Sequence, residues 1–237
     1  MTQFSTSGLA YHFTPGTGPV VVFLCGYASD MHGTKALALE QWAQGAGRAF
    51  LRFDYSGCGE SPGAFEDQTL AGWRDDVLGL LDMLVAGPVV LVGSSLGGWV
   101  MLLAALARPD RVVGMVGVAA APDFTDWGYS DAQKAVLRRD GRLEEPSLYD
   151  GAPTVTTLAF WESGEANRAM DGPIDFSGPV RLIQGQQDPE VPWERALALA
   201  GLLRSSDVQT VLVKDGDHRL SRPQDIALII RAIEDLN

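Results

Sequence analysis

Residues 88–109, PVVLVGSSLGGWVMLLAALARP, limit the fold more than any other part of the chain. Residues 89–92 are apolar without alternation, which predicts a parallel strand covered on both faces. Residues 99–107 are helix formers that stop before a proline, which predicts a helix. Between them, the pattern G-x-S-x-G centred on Ser95 indicates a tight turn that holds a serine hydroxyl out at the end of the strand. Ser95 is therefore the candidate nucleophile.

Strand-like and helix-like segments alternate along most of the chain. A continuous apolar run predicts a buried strand at residues 20–24, and mostly apolar segments predict further strands at residues 49–53, 112–119, 180–183 and 208–213. Apolar stripes at helical spacing predict helices at residues 34–46, 70–84, 193–203 and 226–236. This order predicts an α/β fold with a mostly parallel sheet and helices on both faces. At this length we expect a single domain, residues 1–237.

Residues 122–179 interrupt the alternation and predict a small inserted cap. The segment is rich in Asp, Gly, Pro and aromatic residues, and only short helical patterns such as residues 131–138 occur in it. Long insertions between regular elements usually serve function. Its large apolar residues either seat the cap on the body or wall an acyl pocket above Ser95; they are Phe124, Trp127, Tyr129, Leu148, Tyr149, Phe160 and Trp161. Among them Phe124, Trp127 and Trp161 are the candidate substrate-binding residues.

A serine hydroxyl becomes a good nucleophile only when a base takes its proton. Of the three histidines, His12 and His32 precede Ser95, and His218 follows it in a loop after the last predicted strand. Chemistry gathers at the carboxyl ends of strands in an open parallel sheet, and an elbow serine is followed by its acid and then by its histidine. His218 is therefore the predicted base.

The acid that orients the histidine is expected between Ser95 and His218. Asp188 follows the strand predicted at 180–183 and is the predicted acid, with Glu190 as the alternative. Asp215 and Asp217 are interpreted as turn or solvated carboxylates.

A tetrahedral intermediate needs hydrogen-bond donors for its oxyanion. An elbow of this kind supplies the backbone N–H of the residue after the nucleophile, here Leu96, and a second N–H from the loop after an early strand. Tyr27 is the predicted second donor, because Gly26 before it allows a close approach of the backbone.

Charge and composition exclude several classes of partner. The net charge of -12 and the pI near 4.6 argue against nucleic acid or an anionic membrane surface as the main partner. The longest apolar run, residues 85–107, is divided by the elbow into strand and helix, so we expect no membrane span. We also expect no metal and no cofactor.

Two cysteines, together with a first segment that lacks basic and apolar signal regions, favour a cytoplasmic location.

Several phrases resemble one known family. FLCGYASDMHGTKALALE, RFDYSGCGESPG, VGSSLGGW, DPEVPW and DHR are similar to α/β-hydrolases of the mycophenolic acid acyl-glucuronide esterase and palmitoyl-protein thioesterase family, over nearly the whole chain outside the cap. The resemblance implies an α/β-hydrolase fold and long-chain S-acyl substrates. It matches Ser95, Asp188 and His218 to the catalytic triad, and Tyr27 and Leu96 to the oxyanion positions.

The sequence therefore predicts a serine hydrolase that cleaves an ester or thioester through an acyl-enzyme, acting on a small acyl compound or an acylated protein. A peptidase or lactonase on the same triad is the alternative enzyme. A binding module on a hydrolase scaffold that lacks activity is the alternative from another class.

Overall fold

The computed structural model describes residues 1–146 and 153–236. The strands are β1 (Gln3–Phe4), β2 (Ala10–Thr14), β3 (Thr17–Leu24), β4 (Arg48–Phe53), β5 (Val89–Ser94), β6 (Val112–Val118), β7 (Arg142–Glu145), β8 (Thr154–Thr157), β9 (Val180–Gly185) and β10 (Val208–Val213). The helices are α1 (Thr34–Ala46), α2 (Leu70–Leu84), α3 (Leu96–Ala107), α4 (Phe124–Trp127), α5 (Asp131–Asp140), α6 (Leu158–Ala166), α7 (Glu194–Leu202) and α8 (Pro223–Glu234). A single 3₁₀ turn spans Phe65–Asp67.

The main sheet has eight strands in the order β1-β2-β4-β3-β5-β6-β9-β10. Strands β4 to β10 of this order pair in parallel, and β1 and β2 form an antiparallel edge. Every residue of β5 is buried, as its unbroken apolar sequence predicts for a central parallel strand. The predicted mostly parallel sheet is confirmed.

The order in which strands are added to the sheet reverses beside β3. The connection from β3 through α1 leads to β4 on one side, whereas β5 and then β6 lie on the other side. Since parallel crossovers are right-handed, this reversal puts α1 on the opposite face of the sheet from α2 and α3. Accordingly α1 packs against α8, and α2 packs against α3. The carboxyl ends of β3 and β5 therefore flank a switch point, where open α/β sheets bind ligands.

The segment between β6 and β9 carries α4, α5, the antiparallel hairpin β7–β8 and α6. The hairpin is an addition to the sequence prediction, while α5 covers the predicted residues 131–138. Both oxygens of the buried Asp123 carboxylate accept backbone N–H bonds, from Ala169 at 2.7 Å and Met170 at 2.8 Å, which ties the two ends of the segment together. The predicted pocket residues Leu148 and Tyr149 lie outside the described residues.

The elbow between β5 and α3 depends on very close backbone approaches. A Cβ atom on Gly97 would lie 2.2 Å from the carbonyl oxygen of Leu24, and one on Gly98 would lie 2.4 Å from the Cβ of Ala120. These distances are far below van der Waals contact. Glycine therefore lets α3 start directly against the ends of the neighbouring strands, and this fixes the position of Ser95.

We expect Gly97→Ala to lower the free energy of unfolding by about 3 kcal/mol, because the added methyl group overpacks a backbone contact that cannot move aside. Gly79→Ala is the matched control, since a Cβ on this exposed glycine of α2 meets nothing within 4 Å. It should stabilise the helix by about 0.5–1 kcal/mol. Urea unfolding followed by circular dichroism measures both effects, and equal midpoints for Gly97→Ala and the wild type would contradict the prediction.

Candidate active site

Ser95 occupies the turn between β5 and α3 with a backbone conformation that is unusual for a residue with a side chain. Its φ is 54° and its ψ is −122°. Its N–H donates to the carbonyl of Val118 at 2.9 Å, and its carbonyl accepts from Gly98 at 2.9 Å and Ala121 at 3.0 Å. Such a conformation costs about 1–3 kcal/mol and persists only where the surroundings fix it. These three bonds supply that constraint and leave the hydroxyl facing the cavity.

The three predicted residues Ser95, His218 and Asp188 meet in one hydrogen-bonded chain. Nε2 of His218 lies 3.0 Å from Oγ of Ser95, and Nδ1 lies 2.8 Å from Oδ2 of Asp188. Their elements explain the meeting, because β5, β9 and β10 are parallel and the three residues follow their carboxyl ends. The tautomer with the proton on Nδ1 donates to the carboxylate and leaves Nε2 to accept from the serine hydroxyl.

The side chain of Asp188 is buried completely, yet its carboxylate has several hydrogen-bond donors within the protein. Oδ1 accepts the backbone N–H groups of Glu190 at 2.8 Å and Val191 at 2.9 Å, and Oδ2 accepts the amide of Gln184 at 2.9 Å as well as His218. Burial by itself raises the pKa of this carboxyl, but the hydrogen bond and charge of His218 and the two backbone donors outweigh it and lower the pKa. Asp188 therefore remains ionised beside the imidazole.

Gln184 is a supporting residue that the sequence reasoning missed. It lies next to the last residue of β9, and its amide is buried between Asp188 and the carbonyl of Val191. An amide side chain directly after a predicted buried strand, four positions before a candidate acid, was the available signal.

The other acidic candidates have different surroundings. Oε2 of Glu190 lies 3.8 Å from Nε2 of His218, beyond hydrogen-bond distance, and its side chain is 34% exposed. Asp215 pairs with Arg222 at 2.7 Å, and Asp217 accepts the N–H of Leu220 at 2.9 Å. Only Asp188, among these four carboxylates, contacts the side of the imidazole that faces away from Ser95.

The two predicted oxyanion donors lie on either side of Ser95. Leu96 is the first residue of α3, so its N–H has no acceptor within the helix and lies at the positive end of the helix dipole. Tyr27 follows Gly26, whose Cβ position would be 3.4 Å from Cβ of Ser95. The loop after β3 therefore runs directly against the serine.

A cavity of about 770 Å³ opens over Ser95 and His218. Its lining divides into two chemically different groups. The apolar side chains that line it, called here the apolar wall, are Tyr27, Ala64, Phe65, Pro153 and Val155, and the charged ones include Asp30, Lys35, Glu66, Asp67, Glu190 and Arg219. A group bound at Ser95 thus meets both apolar and charged side chains.

The predicted pocket residues Phe124, Trp127 and Trp161 are absent from the described lining of this cavity. The indole N–H of Trp127 donates to the carbonyl of Pro122 at 2.9 Å, and that of Trp161 to Thr125 at 3.0 Å.

Each of these two indole rings also lies under an arginine guanidinium. Arg195 is 4.7 Å from the Trp127 ring centroid, and Arg138 is 4.7 Å from that of Trp161. Phe124 lies within an aromatic cluster with Tyr27, Trp99, Tyr129 and Phe160. All three side chains therefore pack against other parts of the chain, outside the described lining of this cavity.

Lys35 lines the cavity and is not among the site residues predicted from the sequence. Its ammonium lines the cavity and donates to the carbonyl of Arg219, which follows His218. Burial lowers its pKa to about 8, and the nearby guanidinium of Arg219 acts in the same direction.

Both cysteines are free and buried. Burial raises the pKa of the Cys25 thiol far above its usual range, and it raises that of Cys58 to about 12. Cys25 borders the cavity but is only 2% exposed.

Residues 1–146 and 153–236 contain no cluster of three or more His, Cys, Asp or Glu side chains arranged to hold a metal ion. Within the same ranges, no helix combines the length and apolarity needed to cross a bilayer.

Comparison with known proteins identifies similar sequences over almost the whole chain. The sequence profile of the alpha/beta hydrolase family matches residues 21–227. The mouse (Mus musculus) palmitoyl-protein thioesterase ABHD10, a mitochondrial protein, is 42% identical over 233 residues, which cover 96% of this chain and 78% of the mouse protein.

Solved structures agree with this similarity. A protein from Agrobacterium vitis S4 described as a hydrolase has a TM-score of 0.92 and 41% identity, and the match covers 100% of this chain and 97% of that one. The mouse α/β hydrolase domain-containing protein 10 has a TM-score of 0.92 and 39% identity with the same coverage.

The expected cytoplasmic location is wrong, because the relatives at 42% identity are named as mitochondrial proteins. The expectation depended mainly on the small number of cysteines. Two free thiols distinguish a reducing environment from an oxidising one, but they do not distinguish one reducing compartment from another.

Burial raises the pKa of both cysteine thiols, and the thiolate is the form that reacts. Cys25 and Cys58 of the native protein should therefore react with iodoacetamide at pH 8 on the order of a thousandfold more slowly than free cysteine. Labelling followed by mass spectrometry in buffer and in urea gives the comparison, and the unfolded chain should label at both Cys25 and Cys58. Rapid labelling of Cys25 in the native protein would mean that the cavity holds a second reactive nucleophile, contrary to this expectation.

Proposed function

This chain belongs to the α/β hydrolase family and is an enzyme, a hydrolase, and we propose that it cleaves carboxylic esters and thioesters through an acyl-enzyme on Ser95. The fold and enzyme class predicted from the sequence are confirmed. The observation that carries the proposal is the continuous hydrogen-bonded chain from Ser95 through His218 to Asp188. These three residues supply a candidate nucleophile, base and orienting acid in the geometry that acyl transfer needs.

In the first step Oγ of Ser95 attacks the acyl carbon while Nε2 of His218 takes the hydroxyl proton. The carboxylate of Asp188 stabilises the imidazolium that forms and keeps it oriented through Nδ1. The lowered pKa of Asp188 is consistent with this role, because the carboxylate must stay ionised when the imidazole becomes charged.

The carbonyl oxygen becomes an oxyanion in the tetrahedral intermediate, and the backbone N–H groups of Tyr27 and Leu96 donate to it. The intermediate collapses when Nε2 of His218 returns its proton to the departing alkoxide or thiolate. A water molecule then attacks the acyl-enzyme with His218 again as the base. The products are the carboxylic acid, the alcohol or thiol, and free Ser95.

For the substrate, we propose acyl thioesters and esters with an apolar acyl group, carried by a small molecule or a protein. The apolar wall of the cavity supports an apolar acyl group, and the relatives named palmitoyl-protein thioesterase support a thioester. Residues 122–179 act as the cap in this proposal, and among their described residues Pro153, Thr154 and Val155 line the cavity.

Ser95→Ala should lower kcat/KM on octanoyl ester and thioester substrates by at least about a thousandfold and abolish labelling by a fluorophosphonate probe, because it removes the nucleophile. Ser94→Ala is the matched control: Ser94 is buried at the end of β5 and the variant should keep most of the activity. Residual turnover by Ser95→Ala equal to the wild type, or absence of labelling in the wild type, would contradict the proposal. The second result would favour a binding module.

Asp188→Asn should lower kcat by about a thousandfold or more, because the amide no longer holds the imidazole in the tautomer that accepts from Ser95. Glu190→Gln tests the alternative acid and should stay within about threefold of the wild type, since its carboxylate lies 3.8 Å from Nε2. Steady-state kinetics at saturating substrate provides the measurement. A larger loss in Glu190→Gln than in Asp188→Asn would transfer the orienting role to Glu190.

A further inference from the structure

Tyr27 connects the oxyanion loop to the inserted segment. Its backbone lies beside Ser95, and its hydroxyl donates to the carbonyl of Val155 in β8 at 2.7 Å. The ring is packed edge-on against Phe65 at 5.0 Å and tilted against Phe160 at 4.9 Å, measured between centroids. A single side chain therefore touches the body, the 3₁₀ turn and the insertion.

The strand that receives this hydrogen bond forms part of the cavity. Val155 and Thr154 in β8 line it, and Phe65 faces the same space from the body. In the described two-stranded sheet β8 pairs with β7 alone. The contact with Tyr27 thus joins β8 to the rest of the apolar wall.

We propose that the Tyr27 hydroxyl is a specificity-determining positioning group, which holds β8 in place as the wall against which the acyl chain lies. The inference rests on the proposed function. Burial raises the pKa of this hydroxyl well above its usual value, so it remains a donor throughout the neutral range. Because the bond to Val155 is made by the side chain, its loss leaves the backbone N–H of Tyr27 available to the oxyanion.

The effect should therefore depend on the acyl group. An acetyl group occupies only the space next to Ser95, whereas an octanoyl group extends along the wall that includes Val155. Removing the hydroxyl should therefore weaken binding of the longer group more than that of the shorter one.

The test compares Tyr27→Phe with the wild type on N-acetylcysteamine thioesters from acetyl to octanoyl, below the micelle threshold. In the wild type, kcat/KM should rise with chain length by up to about fourfold per methylene. In Tyr27→Phe, the ratio of kcat/KM for octanoyl to kcat/KM for acetyl should fall about three- to tenfold, mainly through a higher KM for octanoyl.

Tyr129→Phe is the matched control, because the Tyr129 hydroxyl bonds the adjacent residue of the same strand, Thr156, at 2.8 Å without lining the cavity. It should keep the wild-type chain-length profile at a thermal stability similar to that of Tyr27→Phe.

Four results would overturn the inference. They are equal losses on acetyl and octanoyl in Tyr27→Phe, an unchanged chain-length profile in Tyr27→Phe, the same change of profile in Tyr129→Phe, and a flat profile in the wild type. In each case the proposed function stands if the wild type hydrolyses these thioesters and Ser95→Ala does not. A wild-type protein that hydrolyses none of them refutes the proposed function itself.

Discussion

Ser95 keeps its strained backbone conformation, with φ 54° and ψ −122°, because the surrounding backbone holds it there. Three backbone hydrogen bonds fix the turn, and neighbouring glycines let α3 begin within contact of β3 and β6. The strain is offset by the burial of β5 and α3 in the centre of the core. The position of the Ser95 hydroxyl is thus a consequence of how the central strand and helix pack, and the contact with His218 depends on it.

Burial and hydrogen bonding act in opposite directions on Asp188, and hydrogen bonding is the larger effect. A carboxylate taken out of water without partners would take up a proton and lose its ability to orient His218. Four donors prevent this, two of them backbone amides in its own loop. The acid therefore needs the loop conformation of residues 188–191 and the buried amide of Gln184, which local sequence patterns do not disclose.

Features determined by local chemistry could be predicted from the sequence. Strands form at the predicted apolar segments, and the helices predicted at residues 34–46 and 70–84 begin and end at those residues. The order of Ser95, Asp188 and His218 along the chain was enough to select residues that the fold brings together. The roles of Trp127 and Trp161 depend on where Arg195 and Arg138 lie, and this is tertiary information. Aromatic content alone could not separate a packed insertion from a pocket wall.

The cavity combines two parts of the chain with different constraints. Ser95, His218 and the loop after β3 come from the body, whose central strands and close backbone contacts allow little change. Pro153, Thr154 and Val155 come from the insertion, in which the described hairpin β7–β8 forms a sheet of its own and β8 accepts the hydroxyl of Tyr27. In the proposed function, changes in the hairpin therefore reshape the cavity without moving Ser95. On that proposal acyl selectivity is separable from the chemistry of the site, and Tyr27 is the residue where the two meet.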